Sequence, residues 1–329
     1  MPSRNFDINR LVRRSSLIFP VNVSRFVEKA YTRGADCIVM DLEDSVPEAE
    51  KEAARALIKE SIPVVGKGGG DVAVRVNRPL SQATLDLEAS VWPGLTCVSL
   101  PKVESAEEVQ IRADIIAELE RRRGIEAGTV QIAVAVETAL GVVRAYEVAS
   151  ASPRIVSIGV GAEDLTQEMG VRTTAEGREL WYARSKVLTD AYAAGVQPMG
   201  LIGVEPFTWG DPERVYEAAV SSRRLGYKGA QSIHPAPIKY LNEGFSVPAE
   251  EAEQMRRALM AFEDGLKIGT ASVNVDGRMI DVASAERCRR VLHRAEAIAA
   301  MDRRKGEALR DPDFVEERLR SAIGQAQRN

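Results

Sequence analysis

Residues 130–165 read VQIAVAVETALGVVRAYEVASASPRIVSIGVGAEDL: two short apolar runs rich in β-branched residues, separated by a helical pattern. Runs such as VQIAVAV and IVSIGVG mark strands buried on both faces, and such strands belong to parallel sheets whose crossover helices cover them. Glu137 follows the first run and Asp164 the second. Parallel neighbours end on the same side of a sheet, so the two carboxylates converge at one rim, where parallel α/β folds build their sites. Converging carboxylates repel unless a proton or a cation lies between them. A hard divalent cation, Mg²⁺, suits an all-oxygen pair, which makes Glu137 and Asp164 the candidate metal ligands.

The same alternation runs through most of the chain. Strand patterns fall at 15–20, 36–44, 72–77, 96–103, 197–205 and 227–235, in addition to the two above, with amphipathic helical patterns between them. Helix punctuation agrees: PEAEKEAARALIKE opens on Pro and early acids, and AEEVQIRADIIAELERRR stops at Gly124. Eight strand–helix units in roughly 240 residues predict a (β/α)₈ TIM barrel. An open doubly wound sheet is the alternative, but no G-x-G-x-x-G follows the first strand. Past residue 246 the pattern changes to two long helices flanking a short hairpin that turns at Asp276–Gly277. This gives a barrel over residues 1–246 and a helical C-terminal extension over 247–329, its last thirty residues strongly charged.

Composition narrows the class. The formal net charge of −4 argues against a nucleic-acid or membrane-surface binder. No apolar run approaches a membrane span, and the first sixteen residues lack the apolar core of a secretory signal. Three scattered cysteines without a C-x-x-C fit neither a disulfide framework nor a zinc site, and read as free thiols in a reducing cytoplasm. Two histidines leave little room for histidine-based chemistry.

Polar residues at strand C-termini line the sites of barrel enzymes. Here they are Glu43 and Asp44, Arg75 and Asn77, Lys102, Glu137, Asp164 and His234. Taken singly each has a plainer explanation: acids at strand ends cap helices, Lys102 fits a loop, and His234 fits a hydrogen-bonded wall. The run KGGGD is a turn, since no Lys-Ser/Thr follows. GVGAED offers backbone N–H groups beside the acids, suited to a substrate carboxylate.

The segments RSSLIFP, GADCIVMDLEDSVP, VRVN, LPKVES, VAVET, GAEDL, SIHP and VDGRMID, in that order, resemble the citrate lyase β-subunit-like or malyl-CoA lyase-like branch of the HpcH/HpaI aldolase superfamily. The resemblance implies a TIM barrel with a C-terminal lid, a homotrimer or hexamer, and Mg²⁺-dependent making or breaking of a C–C bond between an acyl-CoA and a 2-oxo acid. Carried over by position, Glu137 and Asp164 resemble the Mg²⁺ ligands and Arg75 the arginine that stabilises a thioester enolate. The amides of Ala162 and Glu163 would hold the keto-acid carboxylate. Arg25 and Lys29 match positions that meet CoA phosphates. Asp281, with Asp276 in reserve, matches a lid acid that reaches a neighbouring subunit's site. Glu43 and Asp44 would orient Arg75, with Lys102 pairing to them.

The resemblance thus implies an acyl-CoA lyase that converts a malyl-CoA- or citramalyl-CoA-like thioester to acetyl-CoA or propionyl-CoA and a 2-oxo acid. A CoA-independent 2-oxo acid aldolase, a malyl-CoA thioesterase and a non-catalytic acyl-CoA-binding barrel stay open beside it. Pro237 in IHPAPI, where many relatives carry Gln, and the stretch MGLIGVEPFTWGD depart from the pattern and point away from a citryl-thioester. In that stretch Glu205, Phe207 and Trp209 are candidates for shaping a different pocket.

Overall fold

The computed structural model describes residues 7–174, 176–204 and 210–311. Glu205, Phe207, Trp209 and the end of the charged tail lie outside them. The described residues form two compact units, one made of the stretches up to Ile8, from Arg13 to Phe245 and from Arg304 onward, the other of Asn9–Val12 and Ser246–Arg303.

The first unit is a barrel of eight parallel strands. In chain order its elements are β1 (Ser15–Pro20), α1 (Ser24–Ala30), β2 (Cys37–Asp41), α2 (Lys51–Gly66), β3 (Asp71–Arg75), α3 (Leu80–Ser90), β4 (Cys97–Leu100), α4 (Ala106–Arg122), β5 (Gln131–Val136), α5 (Ala139–Val143), α6 (Ala145–Ala149), β6 (Ile155–Val160), α7 (Ala162–Met169), α8 (Trp181–Ala194), β7 (Gln197–Met199), α9 (Pro212–Leu225), β8 (Ala230–Ser232) and α10 (Ile238–Gly244). The strands pair in the order β7-β6-β5-β4-β3-β2-β1-β8. Backbone hydrogen bonds from Lys228 N–H to Pro198 C=O (3.0 Å) and from Gly200 N–H to Gly229 C=O (2.9 Å) tie the two ends of that order together. The TIM barrel, rather than the doubly wound sheet, is therefore the fold.

Each strand obeys a period of two. Ile38, Met40 and Leu42 join the main core, as do Val72, Val74 and Val76 from the next strand and Ile132 and Val136 from β5. The alternate positions, Cys37, Val39, Ala73, Cys97, Ser99, Ala133, Ser157 and Gly159, line a cavity of about 290 Å³ in the barrel. TIM barrels usually fill this space with bulky branched side chains; here most lining residues are small.

Helix ends follow local chemistry. Ser105, Thr138 and Asp211 cap α4, α5 and α9 by accepting from the N–H groups of Glu108, Gly141 and Arg214. The crossover after β5, which the sequence suggests is one helix, is two short ones that meet at Arg144 (φ −94°, ψ 12°). The sequence pattern gave no sign of α7 and α10. The glycine run 68–70 is a turn as expected, and its bareness has a use: a Cβ on Gly69, at φ +71°, would lie 2.9 Å from Ala308 Cβ and Arg304 O.

The second unit contains α11 (Ala249–Lys267), the antiparallel hairpin β9 (Val273–Val275) and β10 (Arg278–Ile280), and α12 (Val282–Ala308) as far as Arg303. Asp276 (φ +51°) and Gly277 (φ +77°) form the hairpin turn, both left-handed as a two-residue type I′ connection requires. Ala258, Phe262, Ile280, Ala285 and Cys288 make this unit's core.

Candidate active site

Five consecutive strands deliver the site. β2 ends on Asp41 and continues into Glu43 and Asp44; β3 ends on Arg75; Lys102 follows β4; Glu137 follows β5; Asp164 stands in the first turn of α7, after β6. The Arg75 guanidinium grips Asp41 with two bonds, Nε to Oδ1 at 2.7 Å and Nη2 to Oδ2 at 2.6 Å. Its Nη1 lies 3.0 Å from Glu43 Oε2. Asp41 is fully buried, and it also accepts from the Glu43 and Ser45 N–H groups and the Ser45 hydroxyl. Burial opposes ionisation of Asp41, but its bonds to Arg75 outweigh that and hold its pKa below the usual carboxylate range.

Lys102 sits at φ +52°, a backbone region that non-glycine residues enter rarely and at a cost. There its Nζ lies 2.7 Å from Glu43 Oε1, 2.7 Å from Asp44 Oδ2 and 3.5 Å from Asp164 Oδ1. Burial nonetheless pushes the pKa of Glu43 up.

Glu137 is the outlier of the cluster. It is buried, and its Oε2 has no hydrogen-bond partner. Burial, reinforced by Asp164 and Glu43, pushes its pKa up to about 8, against the pull of Lys102 and Arg75. Gly161 leaves room for it: a Cβ there would stand 2.5 Å from Glu137 Cγ. An orphaned buried carboxylate oxygen is costly, and a neighbouring acid raises the cost. Among the described residues no group of three or more His, Cys, Asp or Glu is arranged to hold a metal. Two carboxylates nevertheless suffice for a hard cation that keeps water and substrate oxygens as its other ligands. The pair fits Mg²⁺.

Ala162 and Glu163 open α7, so their N–H groups have no acceptor within the helix. The Glu163 carboxylate turns aside to accept from the Thr173 hydroxyl at 3.0 Å.

The sequence-derived candidates therefore divide. Glu43, Asp44, Arg75, Lys102, Glu137 and Asp164 form one connected cluster. Asp44 belongs to it through Lys102, while the main anchor of Arg75 is Asp41, which the sequence reading passed over. The signal was present: in CIVMDLED, residues 37, 39, 41 and 43 share the inward parity of β2. Lys51 was missed as well. Buried at the start of α2, its Nζ donates to Leu42 O (2.9 Å), Glu43 O (2.9 Å) and Asn77 Oδ1 (2.7 Å), pinning the loop that carries Glu43. No pattern in the sequence marks a lysine for that role.

Arg25 and Lys29 are exposed on α1 and make no hydrogen bond or ion pair with the cluster; the Arg25 guanidinium lies 5.1 Å from the Phe26 ring centroid. His234 is a wall residue, its Nδ1 accepting from Ala236 N–H at 3.2 Å. In the second unit, Asp281 Oδ1 accepts from Ser284 N–H at 2.8 Å and caps α12, a bond that lowers its pKa. Asp276 stands 3.6 Å from Arg257 Nη2.

A family model described as HpcH/HpaI aldolase/citrate lyase matches residues 14–235. The chain belongs to that family. It is 33% identical over 298 residues to the citrate lyase subunit beta of Leuconostoc mesenteroides subsp. cremoris, covering 89% of this chain and 97% of that one. It is 31% identical over 288 residues to a (3S)-malyl-CoA thioesterase of Cereibacter sphaeroides, covering 87% and 96%. Among solved structures it is similar to Mycobacterium tuberculosis CitE in complex with magnesium, acetoacetate and coenzyme A, with a TM-score of 0.68, 28% identity and coverage of 87% and 99%.

Proposed function

We propose that this family member, a carbon–carbon lyase, is an Mg²⁺-dependent acyl-CoA lyase. It cleaves a malyl-CoA- or citramalyl-CoA-like 3-hydroxyacyl-CoA to acetyl-CoA or propionyl-CoA and a 2-oxo acid, or runs the reverse condensation. The observation that carries the reading is the buried, orphaned Glu137 oxygen, close enough to Asp164 and Arg75 to feel the charge of both. Magnesium and coenzyme A in the similar CitE structure support it.

Glu137 and Asp164 would hold the ion, which supplies a Lewis acid that lowers the pKa of a chelated hydroxyl. The remaining work falls to the protein's own groups. The free N–H groups of Ala162 and Glu163 bind the carboxylate of the oxo-acid part. Arg75 carries the negative charge that develops on the thioester oxygen as the C–C bond breaks. Asp41 and Glu43 keep its guanidinium from turning away, so no reorganisation is needed at that moment. Asp281 returns a proton to the enolate carbon and removes it in condensation. Arg25 and Lys29, exposed and cationic, meet the CoA phosphates. Two or more subunits assemble so that the hairpin of one serves the site of another. The exposed Val143 (64%), Trp181 (61%) and Tyr182 (70%) supply apolar surface for that assembly.

The likeness to a malyl-CoA thioesterase favours one further reading, in which the thioester is hydrolysed to a free hydroxy acid. One experiment separates them. Protein with Mg²⁺ is given glyoxylate, pyruvate or oxaloacetate with acetyl-CoA or propionyl-CoA, and products are followed by mass spectrometry. A new acyl-CoA that EDTA abolishes supports the lyase. Free CoA and a hydroxy acid support hydrolysis. Oxo-acid turnover that ignores CoA would overturn both.

A further inference from the structure

The hollow of the barrel has a second end. At the N-terminal pole, Cys37, Asp71, Cys97 and Gln131 are the first residues of β2, β3, β4 and β5, with Cys37 in register with Asp71 and Cys97 with Gln131. Arg13 lies against this floor, 4% exposed, and lines the same cavity as Glu137. A guanidinium carries five N–H donors. Arg13 Nε is bonded to Asp71 Oδ2 at 2.9 Å and Nη2 to Gln131 Oε1 at 2.7 Å, but Nη1 is buried with no hydrogen-bond partner.

The surroundings offer Nη1 no charge of its own. The other Asp71 oxygen is taken by Arg304 Nη2 at 2.9 Å. The titratable groups that bear on Arg13 besides Asp71 are the thiols of Cys97 and Cys37; burial pushes both up in pKa and so keeps them neutral, and the Cys97 sulfur is at most a weak, uncharged acceptor for the guanidinium. Ser16, Ser99 and Ser157 also line the hollow, and among the described residues no hydrogen bond holds their hydroxyls. The guanidinium and the hydroxyls are donors, the thiols spend their protons on Ile38 O and Val98 O, and Asp71 at this pole is already taken by Arg13 and Arg304.

We propose that the floor of the barrel is an anion site: a small monovalent anion, halide to formate in size, binds Arg13 Nη1 inside the hollow, with serine hydroxyls turned towards it. A site that offers donors and a buried guanidinium favours an acceptor-only ligand, since every contact is then charge-assisted. The small inward residues Ala73, Ala133 and Gly159 leave the space. The site is separate from the lyase chemistry at the other pole, and its test does not depend on that chemistry.

The test is a thermal-unfolding titration of the full chain with sodium chloride, bromide or formate. Sodium gluconate, too bulky to enter, balances the ionic strength. Bromide-soaked crystals are examined by anomalous scattering in parallel. Ligand linkage predicts a rise in unfolding temperature that becomes linear in the logarithm of anion concentration above Kd, about 4 °C at 100-fold excess. A bromide peak within about 3.5 Å of Nη1 completes the result. Cys97→Leu, which fills the floor while keeping Arg13, removes both signals; Arg13→Met does so too if it folds. A response to formate but not to halides assigns the site to small carboxylates. Water alone at Nη1, a flat titration in wild type, or a peak seen at crystal concentration only overturns the proposal.

Discussion

The two poles of this barrel treat buried carboxylates in opposite ways. At the N-terminal pole Asp36 and Asp71 are both saturated. Asp36, fully buried, takes Arg14 Nε at 2.7 Å and Lys305 Nζ at 2.6 Å, and Asp71 takes Arg13 and Arg304. Those cations hold both pKa values below the usual range in spite of burial. At the C-terminal pole Asp41 is treated the same way, but Glu137 keeps a bare oxygen and its pKa rises to about 8. A fold can pair such groups when stability is the only demand, and the opposite pole does. Leaving one unpaired beside a second acid is therefore informative about ligand binding, in a way that a count of acids is not.

The contrast can be broken by substitution. The largest effect is expected from Glu137→Gln and Asp164→Asn. Each should lose about 10³-fold in turnover, while Glu137→Gln unfolds no earlier than wild type without metal, because a neutral amide replaces a carboxyl that burial already disfavours in its charged form. A matching loss of stability would place Glu137 among structural acids. Asp36→Asn should do the reverse. Breaking a buried pair costs about 3–5 kcal/mol, read as a drop in unfolding temperature, with kcat per folded molecule unchanged. Arg75→Lys keeps the charge but not the two-bond grip on Asp41. It should cost about 10²-fold in kcat/KM and little stability.

Smaller effects sharpen the picture. Lys51→Met removes three hydrogen bonds and leaves the buried Asn77 Oδ1 without its donor, and should destabilise by about 1–3 kcal/mol, raising KM as the Glu43 loop loosens. Proton linkage at Glu137 gives the smallest. The folded chain holds a proton that the unfolded chain gives up in the ordinary carboxylate range. Its metal-free stability should therefore fall as pH rises from that range through about 8. Mg²⁺ competes with the same proton. The rise in unfolding temperature on adding Mg²⁺ should be larger at pH 8.5 than at pH 6.5, and equal rises at both would deny the linkage.

Much of this was legible in the residues, for a physical reason. Parallel strands buried on both faces must be apolar, so the polar residue that ends each run stands out, and Arg75, Lys102 and Glu137 were found in that way. Asp41 escaped because it lies within its strand, where parity rather than position reveals it. Lys51 escaped because a side chain that bonds backbone carbonyls leaves no pattern in the text. The emptiness of the barrel was available in the alternation of Cys37, Ala73, Cys97 and Ala133 with larger neighbours. It becomes visible only when those positions are known to face one another.

The bond between Asp36 and Lys305 spans 269 positions of the chain. During synthesis the carboxylate emerges long before its ammonium partner. Nascent chains of this protein therefore carry an under-neutralised acid at the barrel floor until the final turns of α12 appear, and this pairing is among the slow, non-local steps of folding.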